Sequence, residues 1–455
     1  MAEGRRFHAP LAFVGGRWAR DVLLVAGNDG LWQQVREDCP PAERAGAETL
    51  PGPALPGMID GHSHAFQRAI AGLTERGTAG RDDFWSWRDR MYAVALRITP
   101  QQLEAIAAFL YTELLAAGYT QVCEFHYLHN DPDGRPYADP LEMSLALVRA
   151  ARQAGIGLTL LPTLYMRSGF GARGLRPDQC RFASTPDSVL RIAQAVRKSG
   201  DARITAGLAL HSLRAVDEAA LQECATAARA AGLPVHIHVA EQQQEVEDCL
   251  RHHRLRPVEW LLRHARPDAH WNLVHATQAS ASELQEVQRC GASIVLCPST
   301  EANLGDGVFD LPTWLAAAGR WTIGSDSHVT RSWCEELRLL EYSQRLVLRR
   351  RNVAARASGQ ESTAAALLQG ALGGASAAAG LPAGGLALGR RADLIVPETE
   401  TPALAGVTDE HLLDALVFSS PGPRMQRVVV AGRDVGLEPP TARYAQAMRQ
   451  LRAAG

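Results

Sequence analysis

From Thr99 onward the chain alternates between two hydrophobic periods. In "TPQQLEAIAAFLYTELLAAG" the apolar residues Leu103, Ile106, Ala107, Leu110 and Leu114 recur at helical spacing. Thr99 supplies an N-cap, Pro100 the first helical position and Gly118 the stop. The next run, "YTQVCEF", is short and apolar, as a buried parallel strand should be. The alternation then repeats. Helices are predicted in "PLEMSLALVRAARQAG", "TPDSVLRIAQAVRKSG", "DEAALQECATAARAAG", "PVEWLLRHA", "SASELQEVQRCG" and "LPTWLAAAG". Strands are predicted in "IGLTLLPTLY", "RITAGLAL", "LPVHIHVA", "HWNLVHA", "ASIVLCPS" and "RWTIGSD". With "LPGMIDGH" as the first strand, the pattern gives eight βα units. That predicts an α/β fold, a (β/α)8 TIM-type barrel, with a doubly wound open sheet as the competing architecture.

Both ends of the chain break this rhythm. "LAFVGGRWARDVLLVAG" reads as two short strands around a glycine turn, and "LGRRADLIV" and "MQRVVVAGRDV" read as strands. A small β-sandwich domain built from both termini is expected, with 1–55 as its N-terminal part, 56–380 as the barrel and 381–455 as its C-terminal part. The alanine- and glycine-rich stretch "LLQGALGGASAAAGLPAGGLALG" is expected to form a helix and a turn joining barrel to β domain.

Composition narrows the function. Apolar residues make up 46% and charged residues 21%, an ordinary globular balance. Lysine and arginine number 47 against 49 acids, so no global basic field is present to hold nucleic acid or an anionic membrane. The run "RLVLRRRNVAAR" is read as a solvated helix end. Eight scattered cysteines without a CxxC argue against a disulfide framework or a cysteine zinc site and fit a reducing cytoplasm. No signal peptide and no membrane span is read from the sequence.

Titratable residues collect at the strand ends. His62 and His64 end strand one, one residue apart, so both imidazoles project from the same face. Glu124 and His126 end strand two, His211 strand four, His275 strand six and Asp326 strand eight, with His236, His238 and Glu241 on or just past strand five. All but the deeper His236 fall at the C-terminal rim, where barrels of this type carry their chemistry. His62, His64, His238 and Asp326 together offer three nitrogens and a carboxylate, a set suited to zinc and also accepted by iron. His236 is read as structural. Strand four ends "LALHSLRA" without the lysine that commonly bridges two metals in such barrels, so one metal per chain is expected. Arg214, just past strand four and beside His211, is placed to bind a carboxylate.

The segments "PGMIDGHSH", "HIHVAE", "LVHAT" and "GSDS" resemble the signatures of the amidohydrolase superfamily, in its mononuclear aminohydrolase branch. Within it, "HSHAFQRAIAG", "DFWSWRDRMY", "EFHYLH", "LALHSLRAV" and "HIHVAEQQQEV" resemble the formimidoylglutamate deiminase family of histidine degradation. That resemblance implies hydrolysis of N-formimino-L-glutamate to N-formyl-L-glutamate and ammonia. It places the metal ligands on His62, His64, His238 and Asp326, and the general acid/base on Glu241. It gives His275 a role beside the attacking water, with a fourth metal ligand as the alternative. It leaves Asp326 to collect a proton as well as ligate. It suggests Arg88, Tyr127, His211 and Arg214 for the substrate, with Gln67 near the formimino group. It also implies a homodimer. Phe84, Trp85, Trp87 and Tyr92 would form a water-excluding lid or simply pack. The competing activity is a related aminohydrolase acting on a purine, pyrimidine or triazine ring, which would use the same metal and Glu241 but not paired arginines.

Overall fold

The computed structural model describes residues 4–77, 83–419 and 422–453. All eight expected barrel strands form. They are Met58–Ser63, Tyr119–His126, Gly157–Leu164, Leu208–Ser212, Val235–Val239, Trp271–His275, Ser293–Leu296 and Arg320–Ile323. Neighbours pair in parallel in chain order. The ring closes between its first and last members: Ser63 bridges Asp326, the Asp326 N–H donates to His62 O at 2.9 Å, and the His64 N–H donates to Asp326 O at 3.2 Å. That closure excludes the open sheet. It depends on two glycines. A Cβ on Gly61 would stand 2.5 Å from Thr322 Cγ2, and one on Gly324 would stand 2.7 Å from His62 Cβ.

The outer helices start where the sequence places their caps. Thr99, Thr185 and Ser280 each accept an N–H from the first turn in a capping box, and Asp217 caps its helix alone. The small-residue stretch forms the helix Thr363–Ala379 and lies across the N-terminal ends of the strands. There Ala378 O accepts from His236 Nε2 at 2.9 Å and Ala379 O from Thr159 Oγ1 at 2.8 Å. A Cβ on Gly374 would come within 2.4 Å of the Trp321 backbone, which explains why this plug is built of small residues. His236 is thus buried in the barrel floor, away from the rim.

The termini build two four-stranded sheets. One holds Trp32–Arg36, Arg17–Ala26, Arg5–Val14 and Glu48–Thr49; the other holds Arg433–Asp434, Met425–Val430, Leu394–Pro397 and Leu55–Pro56. Phe7, Val22, Leu24 and Trp32 share one core cluster with Leu394, Val396 and Val429, so the two sheets pack as a sandwich. The helix Thr441–Ala453 returns to the barrel, where Tyr444 stacks on Phe109 at 4.0 Å. The basic run spans the last turn of the helix Trp333–Leu348, a left-handed Arg349 and the start of the helix Val353–Ser358.

Candidate active site

Strand one ends with His62 and His64 side by side, as a period of two requires. Strand five brings His238 opposite them. The His62 Nε2 atom lies 3.1 Å from His64 Nε2 and 3.0 Å from His238 Nε2. Asp326 Oδ1 lies 3.5 Å and 3.4 Å from the first two. His64 Nδ1 stands 2.9 Å from Phe125 O and His238 Nδ1 2.9 Å from His211 O. Those carbonyls accept only from N–H, so both rings carry their proton on Nδ1 and turn the Nε2 lone pair inward. Burial holds His62, His64 and His238 below the usual histidine value, hence neutral. Lone pairs packed this closely repel unless a cation lies among them. Ligand atoms around one zinc-sized ion stand roughly 3.3 Å apart, given bonds of about 2.0–2.2 Å. The donor set therefore fits a divalent metal. Cys297 stands near His275 and Asp326, but burial keeps its thiol protonated, well above its usual value.

Several residues hold this frame. Buried Asp60 accepts from Ser325 N at 2.8 Å and Ser325 Oγ at 2.5 Å, tying strand one to the turn after strand eight. Glu124 accepts from Ser63 Oγ and the Ala65 N–H, both at 2.7 Å. His275 (φ 68°) and Asp326 (φ 47°) adopt the left-handed backbone region that non-glycine residues avoid. Each costs on the order of 1–3 kcal/mol, strain of a kind that concentrates at functional sites.

Glu241 follows strand five. Its Oε1 lies 3.7 Å from His275 Nε2, which is also 3.7 Å from Asp326 Oδ2. Burial raises the Glu241 carboxyl, with His275 opposing and Asp326 adding. Burial opposes charge on His275, but Glu241, Glu301 and Asp326 override it and raise the imidazole. Glu301, on the short helix Pro298–Leu304, fixes the ring by meeting His275 Nδ1 at 3.2 Å. Nothing in the sequence analysis pointed to Glu301, because strand seven itself carries no titratable residue at the rim. The acid in "CPSTEANLGDG" is the signal that was available.

One chamber collects the remaining residues. His64, His238, Glu241, His275 and Asp326 line it, and so do Gln67, Arg88, Tyr127, His211 and Arg214. Gln67 Nε2 donates to Tyr127 OH at 3.4 Å, and burial with the Arg214 charge keeps His211 neutral. Arg88 lies on the helix Phe84–Ala95, capped by Asp83. Its guanidinium carbon sits 4.6 Å over the Trp85 ring, and that of Arg214 sits 5.3 Å from the same ring. The Nε of both arginines is buried with no partner among the described residues. Phe84, Trp87 and Tyr92 line the chamber, whereas Trp85 lies behind the arginines in an outer cleft. Arg167 and Tyr165 also line the chamber; the sequence analysis did not single them out.

Comparison with known proteins now bears on this geometry. The model of the amidohydrolase family matches residues 54–435. The chain belongs to the amidohydrolase family. It is 47% identical over 428 residues to the formimidoylglutamate deiminase of Pseudomonas aeruginosa, covering 93% of each protein. The crystal structure of an amidohydrolase from Brucella melitensis superposes with a TM-score of 0.89 at 40% identity, covering 98% of this chain and 100% of that one. An adenosine deaminase from Xanthomonas campestris, solved with bound zinc, shares the fold with a TM-score of 0.79 at 20% identity, covering 99% and 98%. This amidohydrolase thus has the family's barrel and terminal β domain. Among its described residues, no helix is long and apolar enough to cross a membrane.

Proposed function

We propose that this chain is a formimidoylglutamate deiminase: it hydrolyses N-formimino-L-glutamate to N-formyl-L-glutamate and ammonia. One observation carries the reading. A single chamber is lined by two arginines with unpartnered nitrogens, a glutamate and a cluster of metal-type ligands. The substrate has two carboxylates at one end and an amidine at the other, and the chamber holds groups complementary to both. A planar ring substrate brings no carboxylate to the arginine pair, which weighs against a purine, pyrimidine or triazine.

His62, His64, His238 and Asp326 would hold the metal, which we assign as a single zinc ion; iron accepts the same donors. Bound there, a divalent cation makes water acidic enough to attack near neutral pH. The chain supplies the rest. Arg88 and Arg214 take the carboxylates, and Gln67, Tyr127 and His211 orient the formimino end. Glu241 accepts a proton from the attacking water and delivers it to the departing nitrogen. His275, held charged by its acids, donates to the oxygen of the tetrahedral centre, and Asp326 collects the second proton. The C–O bond forms, the C–N bond to the terminal nitrogen breaks, and ammonia leaves with the formyl oxygen retained. The helix carrying Phe84, Trp87 and Tyr92 closes this chemistry off from water.

All eight cysteines are free, which supports a reducing cytoplasm. We further assign a homodimer, with domain boundaries after residues 55 and 380. The function is tested by mixing zinc-loaded protein with N-formimino-L-glutamate and measuring ammonia, alongside guanine, cytosine and S-adenosylhomocysteine. Release from the first alone is expected; release only from a ring substrate would remove the assignment.

A further inference from the structure

Beside the reaction centre lies a second convergence of ligand-type atoms. Asp306 sits between Gly305 and Gly307, both with positive φ, just past the helix Pro298–Leu304. Its N–H donates to Glu301 O at 2.9 Å. Its carbonyl accepts from Gln278 Nε2 at 2.6 Å, and the same amide reaches the Glu241 carbonyl at 3.1 Å. Oδ1 accepts from Gln242 Nε2. Oδ2 is buried and has no partner among the described residues, and the residue is only 5% exposed. One oxygen of Asp306, one of Glu241 and one ring nitrogen of His275 lie within 4.8 Å of one another.

A buried, unpaired carboxylate oxygen costs stability and calls for an explanation. Asp306 is not among the residues that line the substrate chamber. The triad has the features of a metal site. Two carboxylates balance a divalent charge, and the histidine is oriented from behind by Glu301, the pattern that fixes ligating imidazoles.

We propose that Glu241, His275 and Asp306 form a second, weaker divalent-cation site whose occupation switches the enzyme off. The inhibitory part rests on the roles given above to Glu241 and His275; the binding part does not. Ligands of a zinc-sized ion stand roughly 3.3 Å apart, and Glu241 Oε1 already lies 3.7 Å from His275 Nε2. The site offers one imidazole against three in the histidine-rich one and is therefore weaker; like any site of protonatable ligands, it tightens as pH rises. Once filled, it ties up Glu241 and His275, and neither can move a proton.

The test uses the one-metal enzyme dialysed against graded free Zn2+. Bound metal is counted by mass spectrometry and turnover is followed as ammonia release. The wild type is expected to go from one to two equivalents per chain while turnover falls at least roughly ten-fold, and at lower Zn2+ at about pH 8 than at about pH 6.5. D306N is expected to stay at one equivalent and keep its turnover over the same range. A wild type that stays at one equivalent overturns the proposal without recourse to any variant. So does a D306N protein that takes up the second ion as readily as the wild type. Metal counting does not depend on which substrate the enzyme uses, so failure here and failure of the deiminase assignment are told apart.

Discussion

The two walls of the chamber are built by different means. On the metal-ligand wall each ring or acid is held by the fold: His64 and His238 by backbone carbonyls, His275 by Glu301, and strand one by Asp60 and the glycines at the closure. On the recognition wall Arg88 and Arg214 rest against aromatic faces and keep buried nitrogens without partners. The first wall is preorganised for developing charge, where misplacement is costly. The second is left for the substrate's carboxylates to complete. Damage to the first should therefore appear in turnover, and damage to the second in apparent affinity.

The largest effect expected from this contrast is that of Glu241→Gln. It removes the proton carrier but no metal ligand, so turnover should drop by about 10² or more while the metal content stays at the wild-type level. Steady-state kinetics with metal analysis checks both halves; wild-type turnover would move proton transfer elsewhere. Arg214→Ala comes next. It removes hydrogen bonds to a charged group, each worth about 1.5–3 kcal/mol. KM should rise about 10- to 100-fold with a smaller change in kcat, and an unchanged KM would break the division between the walls.

The smallest effect on catalysis comes from two buried histidines outside both walls, His236 in the barrel floor and His129 just past strand two. Burial lowers His129 and His236 to about 4. Both fold neutral, so their contribution is full above the unfolded value of about 6.5 and is lost as pH falls toward 4. Urea unfolding should show stability declining over that window by up to about 3 kcal/mol per histidine. His236→Gln should flatten part of that decline and leave KM unchanged.

How legible each wall was in the sequence follows from the same contrast. His62, His64 and His238 sit on strands, where a period of two and an apolar run fix direction as well as position. The barrel count was legible for the same reason, since each βα unit carries its own caps and stops. Glu301 and Asp306 were not legible. They lie on a short helix and a glycine turn after strand seven, and their direction is set by contacts with strands five and six. The left-handed backbone of His275 and Asp326 was also hidden, because closure between strands one and eight imposes it. The helix Phe84–Ala95 brings Arg88 to the chamber through tertiary packing alone, so only resemblance had placed that residue.

The central claim is that His62, His64, His238 and Asp326 together hold one cation. A crystal of protein loaded with one equivalent of zinc, measured at the zinc absorption edge, tests it most directly. One anomalous peak among the three Nε2 atoms and the Asp326 carboxylate is predicted. A peak elsewhere, with these four side chains unligated, would contradict it.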